Sequence, residues 1–143
     1  MDYSVIKDDF NISTDKNKIN IEYVHHFLSH SYWSPGISIN VVSKAMQGSL
    51  SFGVYYKEKQ VGYARVVTDT ATFAYLADVF IDESFRRKGL GKWLVETIIA
   101  HPDLQGLRRI LLATKDAHKL YEQLGFTTIT NPDRYMVYNP DKL

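Results

Sequence analysis

Asp78-Val-Phe-Ile-Asp-Glu-Ser-Phe-Arg-Arg-Lys-Gly-Leu-Gly-Lys-Trp93 is the stretch on which the reading of this chain turns. Its apolar start reads as the end of a buried strand. The chain then bends through Arg86, Arg87 and Lys88, and Gly89 and Gly91 open a helix. Glycines at such a bend let an anionic group come close to the backbone. The first amides of a helix are unpaired donors at the positive end of its dipole, so an anion is favoured there. Arg86, Arg87, Lys88 and Lys92 add positive charge at the same place, and a pyrophosphate is the natural guest. The plainer alternative is a basic, solvated helix start. No Gly-Lys-Ser/Thr closes the turn as in a P-loop, and no third glycine follows as in the dinucleotide fingerprint, which argues against ATP and NAD.

Working outward, residues 50–56, 61–68 and 72–81 are rich in β-branched and aromatic side chains, with polar turns at 57–60 and 68–70. Three strands with short turns make an antiparallel meander. Residues 88–100 read as a helix with Leu90, Leu94, Val95 and Ile98 on one face, stopped by Pro102. Residues 109–114 read as a buried strand, so the unit 72–114 is strand, helix and parallel strand. Asp116 can cap the following helix, with Leu120 and Leu124 inward and Gly125 as its stop. Residues 126–130 and 134–138 are expected as two last strands around Asn131-Pro132. Upstream, residues 3–12 supply one irregular strand, residues 18–30 an amphipathic helix through Ile21, Val24 and Leu28, and residues 39–46 a second helix ending near Gly48. A mixed sheet covered by helices follows, an α/β or α+β domain.

The composition agrees. The chain has 143 residues, 45% hydrophobic and 23% charged, with no linker or repeat, so a single domain over 1–143 is expected. A net charge of +1 supplies no field for non-specific nucleic-acid or membrane binding. Zero cysteine excludes disulfides, thiolate metal sites and a cysteine nucleophile. The first ten residues lack a signal-peptide pattern and no apolar run nears the ~18 residues of a membrane span, so the cytoplasm is the expected address. His26 and His30 have metal-ligand spacing but no third ligand follows, and a solvated pair with no metal is the expectation.

A second segment, Asp116-Ala-His-Lys-Leu-Tyr-Glu-Gln-Leu-Gly-Phe126, changes the reading. With the strand Val79-Phe80-Ile81, the turn Arg86-Arg-Lys-Gly-Leu-Gly91 and the ending Leu120-Tyr-Glu-Gln-Leu-Gly-Phe126 in this order, the chain resembles the GNAT N-acetyltransferase superfamily, which binds acetyl-coenzyme A. The phrases Tyr32-Trp33, Ala64-Arg-Val-Val-Thr-Asp69, Phe73-Ala-Tyr-Leu-Ala-Asp78 and Leu112-Ala-Thr-Lys-Asp116 resemble a bacterial subgroup of it. The resemblance implies a mixed, mostly antiparallel sheet of six to seven strands with about four helices and splayed parallel central strands.

It also implies roles. Pantetheine would lie in the wedge between the strand 78–81 and the strand 109–114, against Val79, Phe80 and Ile81. The amides of Arg87, Lys88, Gly89, Leu90 and Gly91 would hold the pyrophosphate, with the side chains of Arg86, Arg87, Lys88 and Lys92 beside them. Tyr121 matches the tyrosine that protonates the departing thiolate in many members. The oxyanion donor would be the amide of Phe80 or Ile81. Where some members carry a glutamate base, this chain has Leu111, Leu112 and Ala113. Asp78 is the substitute candidate with Asp69 behind it, and a turn cap or an ion pair is the alternative role for both. Tyr32, Trp33 and Tyr75, with Tyr135 and Met136, are candidates for the acceptor pocket. Arg65, inside a strand, suggests a carboxylate or anion nearby.

The implied activity is direct acetyl transfer from acetyl-CoA to a primary amine of a small molecule or peptide, with no metal. The alternatives are a CoA-binding sensor without turnover and a protein lysine or N-terminal acetyltransferase. Dimers are common in the family, so a homodimer is a further expectation.

Overall fold

The computed structural model of the protein describes residues 2–141. Six strands, β1 (Ser4–Lys7), β2 (Phe10–Ser13), β3 (Leu50–Tyr56), β4 (Lys59–Thr68), β5 (Phe73–Ile81) and β6 (Arg109–Leu112), lie in one sheet in chain order. The first five pair antiparallel and β6 runs parallel to β5. Four helices, α1 (Ile21–Ser29), α2 (Ile39–Gln47), α3 (Leu90–Ile99) and α4 (His118–Gln123), complete the expected mixed architecture.

The helices divide between the two faces by the spacing of their apolar residues. Val24 and Leu28 of α1, with Val42 and Met46 of α2, pack on Tyr63 and Phe80. Leu90, Leu94, Val95 and Ile98 of α3 pack on Phe52, Val54, Val61 and Leu76 on the opposite face. Each pair at i and i+4 lies on one side of its helix, which is why two helices of nine residues suffice to cover a face. Asn20 and Ser38 start α1 and α2 by accepting from the amides of Tyr23 and Val41. Full burial of each large aliphatic side chain contributes about 1.5–3 kcal/mol, so these two clusters dominate the fold's stability.

Several elements differ from the expectations. Residues 3–12 form a hairpin rather than one irregular strand, because Asp8 takes the left-handed conformation (φ 56°) and turns the chain. Gln60 lies in β4 rather than in the turn. Its buried amide donates to the Gly62 carbonyl (3.0 Å) and accepts from the Asn20 amide (2.7 Å).

Asp116 does not cap α4; the Thr114 hydroxyl accepts from the Ala117 amide at 3.0 Å instead. The expected strands at 126–130 and 134–138 do not form. The Phe126 amide folds back onto the Tyr121 carbonyl (3.0 Å), and the amides of Arg134 and Tyr135 close a 3-10 turn onto Asn131 and Pro132. Met136, Val137 and Tyr138 are exposed, so their apolar pattern has no surface to pack on. Strand propensity needs such a surface to act.

β4 passes so close to β5 that a Cβ added at Gly62 would sit 2.9 Å from the Phe80 carbonyl and 2.8 Å from Ile81 Cδ1. Gly62→Ala is therefore expected to lower stability by about 1–3 kcal/mol in urea unfolding. An unchanged midpoint would mean that β5 can move away from β4 freely.

Candidate active site

The site arises where β5 and β6 part. They pair through four positions, Phe73 with Arg109 to Leu76 with Leu112, and β5 then runs on to Ile81 without β6. At the parting point the β4–β5 register slips between Tyr63 and Arg65, and Asp78 takes φ 56°. This is a β-bulge, which bends a strand and re-aims its side chains. A cleft of about 530 Å³ opens there, lined by Arg65, Tyr75, Asp78 and Val79 on one side and by Ala113, Thr114 and Tyr121 on the other. A somewhat larger hollow of about 620 Å³ lies beyond β6 against residues 124–131, and of the expected site residues only Tyr135 borders it.

The hydrogen-bond phase of β5 decides which backbone groups face the opening. The Asp82 amide donates to Val61 of β4 at 2.7 Å, so by alternation Phe80 also faces β4. Val79 and Ile81 turn their amides to the open edge. The Ile81 carbonyl accepts from Arg86 Nε at 3.1 Å, tying the basic turn to the strand end. Phe80 is instead a core side chain, its ring stacked 3.8 Å from Phe27.

Beyond Ile81 the chain makes the basic turn that precedes α3. Arg87 (φ 66°) and Gly89 (φ 78°) are both left-handed, and Gly89 is the N-cap of α3 with no side-chain cap. Such a backbone turns successive amides to one concave side, an anion cradle at the helix's positive end. Nothing lies within 4 Å of where a Gly89 Cβ would stand, so conformation requires the glycine and the space above it is open. Arg86, Arg87, Lys88 and Lys92 are exposed around it.

Within the cleft, each carboxylate oxygen of Asp78 accepts one hydrogen bond. Arg65 Nε donates to its Oδ2 at 2.6 Å and the Trp33 indole to its Oδ1 at 2.9 Å. Arg65 also donates to the Ser49 hydroxyl at 3.2 Å. Side-chain exposure of 22% for Arg65 and 9% for Asp78 makes this an ion pair largely sheltered from water. Opposite, the Tyr32 hydroxyl accepts from the Lys115 amide (3.3 Å) and Lys115 Nζ lies 5.3 Å from the Tyr32 ring centre. The loop between α1 and α2 thus spans the cleft from the bulge to the loop after β6.

Tyr121 is buried on the α4 wall. Burial pushes its phenol above the ordinary range, and the Tyr32 phenol adds to the effect. Asp69 lies outside the cleft. Its carboxylate accepts from the amides of Thr72, Ala71 and Phe73 and from the Thr72 hydroxyl, which holds it far below the usual carboxylate range. The structure gives Asp69 the turn-cap role and Asp78 the ion-pair role.

The GNAT acetyltransferase family model matches residues 18–126, well over half the chain. The chain belongs to this family. It is similar to a GNAT-family protein from Xanthomonas campestris pv. campestris at 44% identity and a TM-score of 0.89, over 91% of this chain and 92% of that one. A Gibberella zeae protein named as an acetyltransferase is 29% identical, over 79% of this chain and 76% of its own length. A GNAT acetyltransferase from Elizabethkingia anophelis, solved with acetyl-CoA bound, shares the fold at 15% identity, with a TM-score of 0.67 over 94% of this chain and 91% of that one. Acetyl transfer is the chemistry of the GNAT family.

This GNAT chain brings Tyr32, Trp33, Tyr75, Asp78, Val79 and Tyr121 into one cleft. The turn from Arg86 to Gly89 and the first residues of α3, to Lys92, lie outside it. Lys115 and Ser49 were not foreseen. Their partners Tyr32 and Arg65 are 83 and 16 residues away, and no periodicity encodes such contacts. Among the described residues no cluster of three potential metal ligands occurs and no helix is long and apolar enough to cross a membrane.

Removing the carboxylate would leave the sheltered Arg65 charge unpaired. Asp78→Ala is expected to cost about 1–3 kcal/mol of stability, and Asp78→Asn less because it can still accept from Trp33. Thermal melts in which Ala and Asn behave alike would contradict the Trp33 link.

Proposed function

We propose that the chain, acting as one catalytic domain over 1–143, is an acetyl-CoA-dependent N-acetyltransferase that acetylates a primary amine of a small molecule or peptide in the cytoplasm. The supporting observation is the continuity of the site. A cleft between diverging strands has a buried phenol on its wall, and beyond the open strand edge lies an anion cradle rimmed by four cations.

Acetyl-CoA supplies an activated acyl carbon and a pyrophosphate. The turn suits the pyrophosphate because the first amides of α3 have no side-chain cap, its helix dipole is positive and the space above Gly89 is open. In this reading the amides of Arg87, Lys88, Gly89, Leu90 and Gly91 bind phosphate oxygens. Arg86, Arg87, Lys88 and Lys92 attract the charge, with Arg86 anchored to the strand end. The open-edge amides of Val79 and Ile81 orient the pantetheine arm and meet the developing oxyanion, while Phe80 shapes the wall from the core side.

An amine with a pKa near 10 is neutral in only roughly one molecule in a thousand at pH 7. Asp78 faces the acceptor side, and we assign it to receive the ammonium and pass its proton to cleft water. Tyr121 then gives its phenolic proton to the departing sulfur. Its raised pKa keeps that proton in place across neutral pH. The acid is present below that pKa and lost above it. Activity should therefore climb from pH 6 to 9 as more amine is free, with no fall from Tyr121 below about pH 10.

The engaged carboxylate of Asp78 and the aliphatic face Leu111, Leu112 and Ala113 favour a second reading, a CoA sensor without turnover. Thiol release from acetyl-CoA with a panel of amines separates the two, since binding without amine-stimulated release supports the sensor. Tyr121→Phe should slow turnover by ~10²–10⁴-fold with binding nearly intact, and full activity would remove Tyr121 from this role. Gly89→Asp should abolish binding, because it puts a negative charge into the cradle and strains a left-handed position. Undiminished affinity in calorimetry would place the phosphates elsewhere.

A further inference from the structure

The acceptor side of the cleft carries one cation and one carboxylate 2.6 Å apart, walled by aromatic rings. A guanidinium has five N–H donors. Arg65 commits one to Asp78 and one to Ser49, so three lack a protein acceptor among the described residues. Asp78 holds two incoming bonds and retains lone pairs for more. A purely cationic acceptor, such as a polyamine, would meet Arg65 as well as Asp78. A purely anionic one would meet the reverse. Lys115 and Asp116 on the facing loop repeat the balance. A molecule bearing both charges side by side meets a matched partner for each.

The rings add a second constraint. Tyr32 and Trp33 are 55% and 40% exposed and meet edge to face with centres 5.0 Å apart. Adjacent exposed rings form a contiguous apolar patch, and such patches mark binding grooves. Both have their polar tips tied, Trp33 to Asp78 and Tyr32 to Lys115, so they stand as a fixed apolar wall.

We propose that the acceptor is a free amino acid with an aromatic or aliphatic side chain, its carboxylate on the Arg65 fork, its ammonium against Asp78 and its side chain on Tyr32, Trp33 and Tyr75. This rests on the acetyltransferase reading above and narrows it. The bound ammonium gives one proton through Asp78 to water, and the freed lone pair attacks the thioester carbon. The C–N bond forms as the C–S bond breaks, and sulfur leaves with the proton of Tyr121. The second nitrogen proton returns to the phenolate, so one proton in all goes to solvent. The product amide has lost the positive charge that Asp78 held, which favours its release.

The test measures thiol release by the wild-type protein from acetyl-CoA with aromatic and aliphatic L-amino acids. Each is compared with its carboxamide and with its decarboxylated amine. The free acids should exceed both counterparts by about 10- to 100-fold in kcat/KM. Arg65→Lys keeps the charge and loses the fork, and should bring the ratio close to one with acetyl-CoA affinity unchanged in calorimetry. Equal or better use of the amides or amines overturns the zwitterion assignment and leaves acetyl transfer standing. Acetyl-CoA binding with no release by any of the three overturns it in favour of the sensor. Absence of acetyl-CoA binding overturns the enzyme reading, and this assignment with it.

Discussion

The Arg65–Asp78 ion pair holds the point on which the rest of the site depends. Asp78 sits in a left-handed conformation that costs a non-glycine residue on the order of 1–3 kcal/mol, and such a conformation persists only where its surroundings impose it. Here a guanidinium and an indole both bond its carboxylate, one from the neighbouring strand and one from the loop above. The bulge they secure is where β5 leaves β6. Without that divergence the two strands could go on pairing beyond Leu76, and the sheet would have no gap to admit a substrate.

The division of helices between the two faces gives the gap two dissimilar mouths. On the α3 and α4 side stand Tyr121 and, past the strand end, the basic turn with its convergent amides. On the α1 and α2 side stand the balanced charge pair and the aromatic rings. One mouth favours anions through dipole and net charge. The other is electrically neutral and selects by the arrangement of its charges.

Much of this was legible in the chain. Glycine and basic residues after an apolar run signalled the turn into α3, because a left-handed position at a helix start favours glycine. The apolar periods of α1, α2 and α3 placed them within three residues of their observed limits, since burial of one face dictates the spacing. The failures have a shared cause. The β-branched run at 126–130 looks like a strand, yet pairing needs a neighbouring edge in register, and residue type does not report one. The sequence ranks Asp78 ahead of Asp69 as a base candidate but leaves a turn cap or an ion pair open for both. Four local hydrogen bonds make one a turn cap, and a contact with Trp33, 45 residues away, makes the other part of the cleft.

By itself, then, the sequence determined the central run of elements from α1 to α4, the faces the helices bury and the position of the basic, glycine-containing turn before α3. These follow from neighbours within one or two turns, and local sterics and burial act at that range. Only the tertiary structure decided which amides of β5 face the opening, which aspartate joins the cleft and which rings wall it. Those outcomes depend on strand register, on a bulge and on contacts between segments 45 to 83 residues apart. Such contacts exist only after the chain has closed on itself.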